Sequence, residues 1–259
     1  MDYGKIKAVN WSALKYLAAS PKMYRYRLDN PEPPKAAYTL GSAVHTMVLE
    51  PEKFASRFGV YDGRRTGKDW VAWQAANPRV ESLRPDDMQT ARTMADAIAS
   101  HPVAARVLSG GRREEITEWA DEPSGLRCKG RLDYTRPDRI ADLKTTRTID
   151  PRGFAQACAK YLYHGQVAFY HDGAIAAGKI PPDAPPPWIV AAQNVEPYDV
   201  AVYALSTTAL WAGRRLYRQL IGKLEACTAA SIWPGVAPDE MTLEIPNWAP
   251  GLDDAGDEF

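Results

Sequence analysis

The order of the predicted elements places the chain in the α/β class, and three stretches carry that assignment. Residues 114–146 read as three strands, Glu114 to Ala120, Leu126 to Tyr134 and Arg139 to Thr146, joined by the turns DEPSG and TRPD. A long helical stretch follows, DPRGFAQACAKYLYHGQVAFYHDGAIAAG, with Gly153 and Gly165 as its weak points. Two further strands, in WIVAAQNV and YDVAVYALS, then lead into an amphipathic helix over Thr207 to Ala226.

At 259 residues, 45% hydrophobic and 25% charged, the chain can bury a full core. We expect a single domain, 1–259, with N-terminal helices in 1–35 and an acidic, disordered tail in 250–259. No run of about 18 apolar residues exists, and MDYGKIKAVN lacks the apolar stretch of a signal peptide. A cytoplasmic protein with no membrane partner is therefore expected. Cys128, Cys158 and Cys227 are far apart, odd in number and without a CxxC pair, so free thiols fit better than disulfides or zinc. The net charge is zero, but all seven charged residues from Pro238 onward are acidic. The preceding 237 residues carry 32 basic against 25 acidic side chains, a balance compatible with DNA.

Taken in order, Ser12 is the expected N-cap of the short helix ALKYLAAS, which Pro21 ends. PKMYRYRLDN forms the next helix, opening on proline. Its Arg25 and Arg27, beside Tyr24 and Tyr26, are either a solvated face or a basic aromatic surface near a DNA end. NPEPPKAAYT is a turn-rich linker. In LGSAVHTMVLEP, Leu40, Val44, Met47 and Val48 recur at helical spacing and predict a buried helix. His45 lies within it as a core residue or a ligand, and Gly41 would let the helix start approach another backbone. YDGRRTGKDW at 61–70 is a polar loop in which Arg64, Arg65 and Lys68 either face solvent or grip phosphate. Pro85 to Leu108 reads as helix broken near His101-Pro102. Gln166 and Tyr170, at i and i+4, share a helix face. The closing WPGVAPDEMTLEIPNWAPGL is irregular, with Trp233 and Trp248 as aromatic anchors.

The chemistry concentrates in GRLDYTRPDRIADLKTT, residues 130–146. Strand alternation projects Asp142 and Lys144 to one face, and groups Arg127, Lys129 and Arg131 with Asp133. Two carboxylates and an ammonium on one sheet face are costly unless a divalent cation sits between the acids. Phosphodiester hydrolysis needs charge neutralisation, an activated water and a stabilised leaving oxygen, which Mg²⁺ held by carboxylates supplies. The Leu143 backbone carbonyl offers a further oxygen, and Lys144 would orient the attacking water. Asp-x-Lys alone is a weak signal, and a solvated face of ion pairs is the plainer alternative.

Taken together, Gly41-x-x-x-His45, Gly130-x-x-Asp133, Asp142-x-Lys144 and Gln166-x-x-x-Tyr170 resemble the PD-(D/E)XK nuclease superfamily, in its RecB-like branch. LGSAVHTMVLEPEKF, SGLRCKGRLDY, DLKTT, YHGQVAFYHDG and WPG…IPNWA resemble, more narrowly, the RecE-like exonuclease VIII nuclease domains of phage and prophage recombination systems, from about Ser12 to Trp248. The resemblance implies a restriction-endonuclease-like core, a central mixed sheet flanked by helices in the order α-β-β-β-α-β. It implies metal binding by His45, Asp133 and Asp142, a catalytic Lys144, and a site shaped by Gln166 and Tyr170. A further acid on the strand before Asp133 is common, and Glu114, Glu115 or Glu118 could fill that place. RLDY lacks the proline expected before the aspartate. The implied activity is Mg²⁺-dependent digestion of linear duplex DNA from 5′ ends, with Mn²⁺ able to substitute. It would leave 3′ single strands for a single-strand annealing partner. Ring-shaped homo-oligomers, similar to those of lambda-type exonuclease, are also implied. A structure-specific or single-strand nuclease of the same fold, and a catalytically silent DNA-binding scaffold, are the competing expectations.

Overall fold

The computed structural model describes residues 3–31, 36–237, 239–246 and 249. Two short helices, α1 (Trp11–Leu14) and α2 (Pro21–Asp29), precede the buried α3 (Ala36–Leu49) and the single-turn α4 (Phe54–Arg57). An excursion of β1 (Phe58–Val60), α5 (Lys68–Ala76) and β2 (Glu81–Leu83) leads into α6 (Pro85–Ser100) and α7 (Pro102–Val107). The meander β3 (Arg112–Asp121), β4 (Leu126–Thr135), β5 (Ile140–Thr146) is followed by α8 (Pro151–Lys160) and α9 (Tyr163–Ala176). β6 (Trp188–Gln193), β7 (Val200–Ala204) and α10 (Thr207–Ala230) complete the order.

The five long strands form one mixed sheet in sequence order, with β5 and β6 parallel and every other neighbour antiparallel. A parallel neighbour requires a crossover, and α8 with α9 supplies it. The α-β-β-β-α-β core is therefore present, with β7 added at one edge. β6 sits between two neighbours and buries four successive residues, Ile189 to Ala192, as a strand covered on both faces must.

Helices cover both sides of the sheet. On one, α1, α9 and α10 pack Trp11, Phe169 and Tyr217 against Trp119 and Leu132. On the other, α3, α6 and α7 pack Val44, Met94 and Val107 against Tyr134, Leu143 and Val190. Alternation along β5 turns Ala141 and Leu143 toward α3 and α6, and leaves Asp142 and Lys144 for the opposite face. A Cβ on Gly41 would stand 3.1 Å from Thr145 Oγ1, so glycine lets α3 press onto β5. Gly41 lies inside α3 rather than at its start.

Other expectations are corrected in detail. Asn10, not Ser12, caps α1, its side chain accepting from the Ala13 N–H at 3.0 Å. The long helix after the meander breaks at Leu162, which adopts φ 59°, and both Gly153 and Gly165 are helical. The polar loop expected at 61–70 ends at Gly67, where α5 begins, and the parallel pair β1–β2 was not foreseen. The helix break at His101-Pro102 is present. Trp233 stacks on Tyr24 with centroids 5.6 Å apart, whereas Trp248 and the tail 250–259 lie outside the described residues. All three cysteines are free thiols. Among the described residues no helix is long and apolar enough to cross a membrane.

Candidate active site

β4 and β5 pair only at Tyr134↔Ala141 and Thr135↔Ile140. The next residues in that register, Asp133 and Asp142, face each other where the ladder has stopped and the strands diverge. Asp133 Oδ2 instead accepts the Leu143 N–H at 2.8 Å, which ties its carboxylate into the opening. On the other side of β4, the pairs Arg113↔Tyr134 and Glu115↔Leu132 bracket Glu114 opposite Asp133. Glu114 has φ 48°, a left-handed conformation costing about 1 kcal/mol or more for a residue with a side chain. Its carboxylate thereby joins the row, so β3, β4 and β5 each contribute one acid at the same level of the sheet.

α3 lays His45 over that row, with Nδ1 3.8 Å from Asp133 Oδ2. Ligand-capable atoms of His45, Glu114 and Asp133 all lie within 4.8 Å of one another. Asp142 is 2% exposed and ion-paired through Oδ2 to Lys144, while its Oδ1 has no hydrogen-bond partner among the described residues. The Lys144 ammonium also lies 4.9 Å from the centre of the Tyr163 ring.

The protonation pattern follows from this crowding. Burial, reinforced by Asp133, lifts Glu114 to about 7. Burial lifts Asp142 to about 6, with Lys144 opposing and Asp133 adding to the rise. Burial also raises Asp133, against the pull of Lys144 and the Leu143 N–H. Burial works against the Lys144 ammonium, but Asp142 and Asp133 together outweigh it and push its pKa up. His45 is lowered to about 4 by burial and by Lys144, so its imidazole is neutral and can ligate at pH 7. A neutral imidazole, carboxylates that resist ionisation and an orphaned buried oxygen make a donor set that fits a hard divalent cation.

The site opens into a cavity of about 1080 Å³, lined among others by His45, Glu114, Arg131, Asp133, Leu143, Lys144, Gln166 and Tyr170. Gln166 and Tyr170 are linked by a side-chain hydrogen bond. A Cβ on Gly130 would lie 2.9 Å from the Tyr170 ring, so glycine on β4 admits the tyrosine.

The acids left open in the sequence separate cleanly. Glu115 is spent on Lys179 at 2.8 Å and Arg112 at 3.1 Å, and Glu118 on Arg127 at 3.0 Å. Arg131 pairs with Glu114 at 2.8 Å and lines the cavity. Arg127 faces solvent beside Glu118 and is not part of the cavity wall. Lys129 is not a phosphate contact: it is 5% exposed, and its ammonium donates to the carbonyls of Tyr3 and Ile6. Arg64, Arg65 and Lys68 also lie away from the wall, with Arg65 tied to the Ser82 carbonyl at 2.9 Å. Sequence reasoning missed Lys15, Arg57, Arg147, Lys160, Tyr3 and Tyr163, all of which line the cavity. They come from five separate segments with no common spacing, so no periodicity could have grouped them.

Residues 10–239 match the family described as a PDDEXK-like domain of unknown function (DUF3799). The chain is similar in fold to the crystal structure of a protein from Eubacterium rectale described as a candidate exonuclease. The TM-score is 0.64 at 15% identity, over 93% of this chain and 90% of the other. No curated protein matches the chain.

Proposed function

The chain belongs to the PDDEXK-like DUF3799 family, and from that premise we propose that it is a divalent-metal-dependent nuclease acting on DNA. The observation that carries this reading is the row of Glu114, Asp133 and Asp142 across three neighbouring strands, two of which part at the site, under a neutral His45. His45, Glu114 and Asp133 would hold the ion, with the orphaned Asp142 Oδ1 and the Leu143 carbonyl as the nearby oxygens. Mg²⁺, or Mn²⁺ in its place, would supply charge neutralisation at the phosphate and a more acidic water.

The chain's own residues do the rest. Lys144, kept protonated by Asp142 and Asp133, orients the attacking water and offsets negative charge developing on the phosphoryl oxygens. Arg131 is half-exposed, pairs with Glu114 and lines the cavity, so its guanidinium is placed to contact a phosphate. Gln166 holds the Tyr170 hydroxyl toward the substrate. The wider ring of cations, Lys15, Arg57, Arg147 and Lys160, tracks neighbouring phosphates.

Within this class we propose digestion of linear duplex DNA from 5′ ends, leaving 3′ single strands for an annealing partner, by a homo-oligomeric ring. The sequence resemblance supports that finer reading, as does likeness to a protein described as a candidate exonuclease. The test is digestion of linear and covalently closed duplexes of one sequence with Mg²⁺, using strands labelled at either end. Loss of the linear form alone, with 5′ label released first, is expected. Equal attack on both forms would replace the exonuclease with an endonuclease of the same site, and attack on neither would reject nuclease activity.

A further inference from the structure

The divergence of β4 from β5 that opens the site also strips β4 of a partner over its first half, because β5 pairs only with Tyr134 and Thr135. A bare strand edge is costly when buried, and around Cys128 the chain caps this one with Val9, the end of its own segment 3–9. Val9 bridges Cys128 in parallel fashion, donating to the Arg127 carbonyl at 2.9 Å and accepting from the Lys129 N–H at 2.7 Å. Lys129 then fastens the segment's far end. Its ammonium donates to the carbonyls of Tyr3 at 2.8 Å and Ile6 at 2.7 Å and lies 4.3 Å from the centre of the Tyr3 ring. A lysine this deeply buried needs partners, and among the described residues the Tyr3 and Ile6 carbonyls and the Tyr3 ring supply them.

The consequence is functional in geometry. Tyr3 stands on the wall of the catalytic cavity beside Trp11 and Tyr170, while cations and acids line the rest. Aromatic faces receive nucleobases with little regard to sequence, whereas cations receive phosphates. We propose that Tyr3 is a substrate-contacting residue, its ring a stacking face for a nucleobase next to the phosphate being cut, and that Lys129 is the positioning residue that keeps it there. The proposal rests on the nuclease reading in naming the ligand as a nucleobase.

The test uses the full chain and a short fluorescein-labelled single-stranded oligonucleotide. Its Kd is read by anisotropy with Ca²⁺ in place of Mg²⁺, and kcat and KM are read on linear duplex with Mg²⁺. Tyr3→Ala is expected to raise Kd and KM at least about fivefold, the low end for losing one base–aromatic stack, with kcat changed less than about twofold. Tyr3→Phe keeps the ring and should behave as wild type. Lys129→Met should reproduce Tyr3→Ala in both constants. If it unfolds, Tyr3→Ala alone decides, since Tyr3 is partly exposed and outside the cores. Wild-type Kd and KM in Tyr3→Ala overturn the proposal and leave the nuclease reading intact. Wild-type protein that binds but does not cut overturns the nuclease reading, and the Kd series then decides Tyr3. Protein that does not bind DNA overturns both.

Discussion

Two neighbourhoods of buried acid lie at the two faces of α9, and they are resolved in opposite ways. At one, Asp172 accepts from Arg214 at 2.7 and 3.0 Å and from the Tyr217 hydroxyl at 2.7 Å, with His171 Nδ1 at 3.3 Å. Burial alone would lift this carboxyl, but hydrogen bonds from His171, Arg214 and Tyr217 outweigh it and hold it at about 2. At the other, Glu114, Asp133 and Asp142 stand side by side on three neighbouring strands, and all three are raised. The first is a lock between α9 and α10, complete in the protein itself. The second is short of positive charge, and a buried anionic cluster left short in this way is a place for a cation.

That contrast can be broken in several places. The largest effect is expected at Asp142→Ala, which should lower Mg²⁺-dependent DNA hydrolysis at least about 10³-fold while DNA binding in Ca²⁺ persists. Unchanged hydrolysis would remove Asp142 from the site. Asp172→Ala should do the reverse, leaving kcat near wild type but costing about 2–3 kcal/mol in urea unfolding. That lies below the range of about 3–5 kcal/mol for breaking a fully buried pair, since Arg214 is 40% exposed. An Asp172→Ala protein as stable as wild type would make the lock ornamental.

Proton competition gives the next effect. Glu114 carries a proton below about 7, and that proton must leave before an ion binds. Calorimetric Mg²⁺ affinity should therefore rise as pH rises through about 7, by up to about tenfold per pH unit below it, and level off above. A flat profile from pH 6 to 8 would exclude Glu114 as a ligand. The smallest effect concerns the metal-free protein. Because the folded pKa of Glu114 is raised, the folded state binds more protons than the unfolded chain between about 4.5 and 7, so stability falls as pH rises through that window. Glu114→Gln removes the loss, and in EDTA at pH 8 it should gain up to about 1 kcal/mol, discounted for the lost Arg131 pair. A clear loss of stability instead would mean that Arg131 neutralises Glu114 fully.

How much of this was legible depended on the range of the interaction. The shared face of Asp142 and Lys144, and that of Gln166 and Tyr170, follows from strand and helix periodicity, and both pairs meet as expected. Glu114 could not be chosen over Glu115 and Glu118, because alternation alone treats Glu114 and Glu118 alike. Only the left-handed turn at Glu114 and the competing claims of Lys179 and Arg127 separate them. Arg127, Lys129 and Arg131 alternate identically, yet one pairs at the surface, one is buried beneath segment 3–9 and one enters the cavity.

By itself, the amino-acid sequence determined the order of the five sheet strands, the Asp-x-Lys face, and the apolar helix that carries His45. These depend on the direction of a side chain relative to its own element, which a repeat of 2.0 or 3.6 residues sets. The tertiary structure alone decided where β4 and β5 part, which acid completes the row, and what Lys129 holds. Those outcomes turn on which distant segment arrives at a strand edge, and Tyr3, 126 residues from Lys129, leaves no local pattern that announces it.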